Sequence, residues 1–395
     1  MWNWTTFLLS VGLAVLASAC GGAGTGDDAG AGGGTGTGTG TGTDTGAGAG
    51  STGTGATGSA CALVTKGAPV SEGLGAAPSL LWTGDQYAVA WTDTSKDDGD
   101  IHLAMIGPDG AKKSEVEIDS GVAVSSHVSV VRAGDGLVVL WQDAAGAGSV
   151  VRGRRVNMDG QVQGNAFQLA QSGVAEAWPV GASAEAGIAV TWMDTGRAHV
   201  GFLGADNALS GTVPVDGGMF PWVTADGAEL GMAWSAGAQI SFARPTVNGP
   251  MSPVHHPGVN ALLTRVAMGG SSAFLTWEDI RDGEGSEQIF LVRVEEGGAV
   301  SNEVVVPADG GSANWPAMVW TGSHVAVAYY QWRDGPPAVF LELFKPDLTS
   351  LKVDLKVSGE AGARFPALAW TGEEIGVAYA EKDGGIFLST VSCPQ

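Results

Sequence analysis

The chain has 395 residues, 44% of them hydrophobic and only 15% charged, a composition that fits a large buried core and excludes a chain disordered throughout. Its formal charge is −22, and beyond residue 60 it carries 38 acids against 19 bases. Nucleic acid is excluded as a partner, because phosphate backbones require clustered Lys and Arg; the short run Arg152, Arg154 and Arg155 reads as a solvated strand face.

Residues 7–19, FLLSVGLAVLASA, form an apolar run too short to span a bilayer as a helix, and it ends in small residues directly before Cys20. That is an export signal over residues 1–19. Ala17-Ser18-Ala19-Cys20 resembles the lipobox of bacterial lipoproteins, although Leu16 stands one position before the usual leucine and no Lys or Arg precedes the apolar run. The resemblance implies that Cys20 is acylated and becomes the new N-terminus, anchoring the protein in a membrane. With Gly21 in place of the aspartate that favours inner-membrane retention, it implies the outer membrane or cell surface. An ordinary signal peptide, with Cys20 cleaved away or left free, is the alternative. Up to residue 60 the chain is nearly all Gly, Thr, Ala and Ser. Such a segment cannot bury enough apolar surface to offset the entropy of ordering, so residues 20–60 read as a tether with a mean reach of about 35 Å.

From residue 61 onwards the sequence repeats. Aromatic anchors stand at Trp91, Trp141, Trp192, Trp234, Trp277, Tyr329 and Tyr379, spaced 42 to 52 residues apart. Glycine lies seven residues before six of them, and proline thirteen residues before five: Pro78, Pro179, Pro221, Pro316 and Pro366. Each anchor ends an alternating segment, such as Tyr87, Val89 and Trp91 on one face with Ala88 and Ala90 on the other, which is the period of a strand. A short strand follows each proline, glycine turns it into the anchor strand, and two further strands complete the unit; helical periodicity is absent. These units resemble the blades of a seven-bladed β-propeller, all-β and built of four-stranded antiparallel sheets, over residues 61–395. The last unit lacks a fourth strand and residues 61–73 look like an orphan one, so the resemblance implies a ring closed by the N-terminal strand. Cys61 and Cys393 would then meet, and export permits a disulfide between them.

Two sets of residues fall on the face where propellers usually bind. Acids stand two residues after the anchor in Asp93, Asp143, Asp194, Asp279 and Glu381, with Ala236 and Gln331 breaking the series. Further acids follow at Asp97, Asp98, Asp100, Asp282, Glu284, Asp334 and Asp383. They read as turn caps, with Ca²⁺ or a basic ligand as the alternatives. Aromatics precede the proline position in Trp178, Phe220, Trp315 and Phe365, with His127 equivalent in the second unit. These either wedge between blades or offer rings to a sugar or peptide.

No metal-ligand spacing, nucleophile elbow or phosphate loop is present, and His255-His256 lies in a proline-flanked loop. Ser95-Lys96-Asp97-Asp98-Gly99 has a superficial resemblance to the Asp-box of sialidase propellers, but between the second and third strands instead of the third and fourth. The expectation is a monomeric, lipid-anchored envelope protein that binds a protein, peptide or glycan without catalysis and without a cofactor. A glycosidase or sialidase-like enzyme using Asp93, Asp279 or Glu381 as acid and base, and a structural scaffold, are the alternatives.

Overall fold

The computed structural model describes residues 61–394, apart from 96–98, 186, 247–251, 258, 283–286, 308–311, 334 and 383. The export signal, Cys20, the tether, and Lys96, Asp97, Asp98, Glu284, Asp334 and Asp383 therefore lie outside the described residues. Every regular element described is a strand, and the strands form seven four-stranded antiparallel sheets. The protein is a seven-bladed β-propeller.

Blade 1 shows the plan: Gly75–Trp82 nearest the axis, then Tyr87–Asp93, Asp100–Ile106 and Lys112–Asp119 moving outwards. The alternation read from the sequence becomes packing between blades. The anchors Trp91, Trp141, Trp277, Tyr329 and Tyr379 are at most 2% exposed, and each lies opposite a ring or long side chain of the third strand. Trp91 pairs with His102, Trp141 with Arg152, Trp277 with Phe290, Tyr329 with Phe340 and Tyr379 with Phe387. The small opposite face admits the next blade. A Cβ on Gly376 of blade 7 would stand 2.5 Å from the Tyr87 ring of blade 1, so that ring occupies the space glycine leaves.

The ring closes as the resemblance implied. Ala62–Pro69 pairs antiparallel with Ile386–Ser392 as the outermost strand of blade 7. Two bulges interrupt the pairing, and side chains take the N–H groups exposed there: Thr390 Oγ1 accepts from Thr65 at 3.2 Å and Ser389 Oγ from Gly67 at 3.0 Å. Cys61 and Cys393 form a disulfide across 332 residues of sequence.

One detail differs from the sequence reading. In six blades the innermost strand begins before the proline position, as at Gly75, Ser125 and Ala363, and only Val180–Ala184 of blade 3 begins after it. The residue before that position takes a left-handed conformation and bulges out of the ladder. This holds in all seven blades: Ala77, His127, Trp178, Phe220, Leu263, Trp315 and Phe365 have φ between 44° and 56°. Non-glycine residues enter that region at a cost of about 1 kcal/mol or more, and do so where the surroundings over-determine them.

Candidate functional site

The seven left-handed bulges stand at one mouth of the central channel, and a bulge of this kind re-aims its side chain. The rings turn inwards and meet. His127 and Trp178 lie 4.2 Å apart between centroids, Trp178 and Phe220 5.6 Å, and Trp315 and Phe365 4.7 Å. Trp178 of blade 3 reaches Trp315 of blade 6 at 5.6 Å, joining opposite sides of the ring. All five are 3 to 8% exposed, so together they plug the upper mouth.

A second layer holds the plug and carries no signal in the repeat as read. The residue after the anchor in one blade accepts the backbone N–H of the bulge in the next. Gln142 Oε1 takes the N–H groups of Ala177 at 2.6 Å and Trp178 at 3.0 Å, while its Nε2 donates to the carbonyl of Ala175 at 3.1 Å. Met193 Sδ accepts from Phe220 at 3.1 Å, and Glu278 Oε2 from Trp315 at 2.8 Å. Burial drives the Glu278 carboxyl up to about 7; the Trp315 N–H pulls it down, Glu287 pushes it up further and Arg265 opposes both. This position, one after the anchor, alternates with the buried large face, and only its placement around the ring shows what it does.

The acids two residues after the anchor hold their own loops. Asp143 accepts from the Trp141 indole and from Ser125 Oγ, both at 2.8 Å, and pairs with Arg152. Asp279 accepts from the Trp277 indole at 2.9 Å and from Arg281 at 2.6 Å. Burial pushes the Asp279 carboxyl up, but hydrogen bonds from Arg281 and Trp277 outweigh it and leave it below the usual range. Asp194 accepts from the Gly173 N–H at 2.7 Å, which lowers its pKa, and Asp93 accepts from the Ser95 N–H at 2.8 Å. Burial raises the Glu381 carboxyl against a hydrogen bond from the Gly359 N–H. Asp93, Asp279 and Glu381 stand on blades 1, 5 and 7.

Where the acid series breaks at Gln331, the next residue is Trp332, the one large aromatic among the exposed hydrophobics described, at 44% exposure. The Arg364 guanidinium lies 5.1 Å from its ring centre and 5.7 Å from that of Tyr330. Tyr330 in turn touches Phe365 of the plug at 6.1 Å. Asn314 pairs in register with Tyr330, and Ser312 Oγ donates to Glu287 at 3.1 Å on the neighbouring loops. The arrangement is an exposed indole beside a cation, on a base of buried rings. The repeat break at Gln331 marked the place, but nothing in the pattern told an outward Trp332 from a packed one.

For a metal, the best set among the described residues is Asp100, His102 and Glu117 on blade 1, whose donor atoms lie within 4.8 Å of one another. Glu115 lies 3.5 Å and Asp93 3.9 Å from the His102 ring nitrogens as well, so the imidazole has carboxylates outside the set beside it.

No family model and no curated protein sequence matches the chain. Solved structures do. An ulvan lyase bound to a saccharide superposes with a TM-score of 0.54 at 9% identity, over 84% of this chain and 96% of that one. The propeller domain of the Trilobed protease from Pyrococcus furiosus gives 0.48 at 8% identity, covering 82% and 94%. The NanB sialidase of Streptococcus pneumoniae gives 0.44 at 9% identity, covering 84% and 70%. At these identities the likeness is one of fold.

Proposed function

We propose that this propeller is a non-catalytic binding module that recognises a glycan or peptide on its upper face, with Trp332 as the anchor and Arg364 beside it. One observation carries the reading: Trp332 is 44% exposed while the plug rings beneath it are buried, so it alone of that cluster offers a face to a ligand. An exposed indole supplies large contact area at small entropic cost, and a flanking guanidinium supplies direction. The ring acids favour this over acid–base chemistry, since Asp143 and Asp279 are engaged by hydrogen bonds from their own blades and Asp194 by the Gly173 N–H on the connection from the preceding blade. The export signal and tether add the setting: acylated Cys20 holds a monomeric ring at the outer membrane, within reach of an envelope or surface ligand.

The test is a glycan array together with a pull-down, using the full chain and its Trp332→Ala variant. The variant is expected to lose about tenfold or more in affinity, roughly 1.4 kcal/mol, with unchanged melting. Equal binding by both proteins would overturn the assignment to Trp332. For the setting, Cys20→Ser is expected to move the protein from the membrane fraction to the soluble one.

A further inference from the structure

Below the plug, the central channel is a cavity of about 380 Å³, within the range of small-molecule sites. Its wall comes from the innermost strands and is mostly apolar, with Leu80, Val130, Val266, Met318 and Leu368 among its side chains. Its charge pattern runs against that of the protein. The chain carries −22, yet the ionisable side chains described on the channel wall are His127, Arg132 and Arg265, with no Asp or Glu among them.

Arg265 is the unusual one. It is 5% exposed, deep in the ring, where an arginine is ordinarily found paired. One nitrogen donates to the carbonyl of its own neighbour Thr264 at 3.1 Å, and the guanidinium lies 4.0 Å from the ring centre of Trp222. Among the described residues no carboxylate comes within 4.0 Å of it. Glu278, which interacts with it at longer range, has Oε2 occupied by the Trp315 N–H at 2.8 Å. Burial lowers the guanidinium to about 9, with Glu278 opposing, so it is cationic at neutral pH. An arginine has five N–H donors in a planar fork, which leaves most of this one's capacity facing the channel. The residue also breaks the repeat. The matching positions are Ser79, Ser129, Val180, Trp222, Ala317 and Ala367, and the residue before it is Thr264 where five blades have proline.

We propose that the channel binds a small monocarboxylate with an apolar body, its carboxylate bidentate on Arg265 and its body against the aliphatic wall. A single planar cation matches a carboxylate, whereas a dianionic phosphate calls for more than one. Admission is from the mouth opposite the plug, where Arg132 bonds the turn carbonyls of Thr83 and Gly134. The site is separate from Trp332 and stands or falls without it.

The probe is octanoate, with octanamide as its neutral isostere, titrated calorimetrically into the full chain. Octanoate is expected to bind, octanamide about tenfold or more weaker, and Arg265→Met to bring octanoate down to the octanamide level, a shift of about 1.4 kcal/mol per tenfold. Trp332→Ala is expected to leave octanoate binding unchanged. Arg265→Met keeps the side-chain length but takes from buried Glu278 its nearby cation, so the variant is expected to melt below the parent and its binding is read on the folded protein. Should that variant fail to fold, the octanoate-to-octanamide ratio on the parent decides. No octanoate binding, equal binding of the two probes, or full binding by a folded Arg265→Met would each overturn the proposal.

Discussion

Replacing Gln142 by Leu tests whether the contacts between blades carry the stability of the upper mouth. The substitution preserves volume but removes the acceptor of two backbone N–H groups, those of Ala177 and Trp178, which are 0% and 7% exposed. Each donor left unpaired away from water costs about 1–3 kcal/mol, so the pair predicts a loss of about 2–6 kcal/mol. The Ala175 carbonyl loses its Nε2 donor as well, which moves the expectation away from the low end. Met193→Leu supplies the scale. There one N–H, that of Phe220, loses a weak sulfur acceptor, and a loss of about 1 kcal/mol or less is expected. Equilibrium unfolding in denaturant reads both variants, and near-UV circular dichroism reports the indole packing of Trp178 as its turn loosens. A loss below about 1 kcal/mol for Gln142→Leu, or equal losses for the two, would refute the idea that this side chain fixes the left-handed turn.

The Cys61–Cys393 bond closes 332 residues, so loop-closure entropy predicts that Cys61→Ser with Cys393→Ser costs about 5–6 kcal/mol; a denaturation midpoint unmoved by the double variant or by reductant would count against it. Glu278 has a folded-state pKa of about 7 against an ordinary 4.5, so its burial penalty is absent below 4.5 and grows as pH rises towards 7. Relative to Glu278→Gln, which retains an acceptor for Trp315, the wild type should lose about 3 kcal/mol across that window; a difference curve flat from about pH 4 to 8 would contradict the assignment. Gly376→Ala places a Cβ 2.5 Å from the Tyr87 ring and should cost about 1–3 kcal/mol in thermal unfolding, whereas Gly335→Ala, with open space around it, should be neutral. Equal melting of these two would mean that blades 7 and 1 pack less closely than described.

The architecture was legible because its causes are local. Period-two alternation around Trp91 or Tyr379 reports a strand with one buried face, and glycine seven residues earlier reports the turn that feeds it. The incomplete last unit pointed to the ring closure for the same reason. The upper mouth was not legible, because its causes are not local. Nothing near Trp178 reveals that its ring meets Trp315, 137 residues away in sequence, since that contact exists only once blades 3 and 6 face each other. The left-handed turns were hidden as well, because aromatic and aliphatic residues seldom adopt them and only the closed ring compels it. Gln142 and Arg265 sit in positions that simple alternation assigns to a buried face, and burial alone does not distinguish a packed side chain from a clasp or a channel cation.

The closure of the ring also sets the path of mechanical load. Ala62–Pro69 lies antiparallel to Ile386–Ser392, with Ala62 opposite Ser392, so a pull at the N-terminal side of the propeller would draw on these pairs one at a time, the geometry in which β-structure separates at low force. The disulfide lies outside the first pair, between Cys61 and Cys393. Tension arriving at Cys61 therefore passes through a covalent bond to the far end of the last strand before any hydrogen bond between the two strands is loaded. The seam that closes the ring is thereby shielded from peeling at the end where it would otherwise open first.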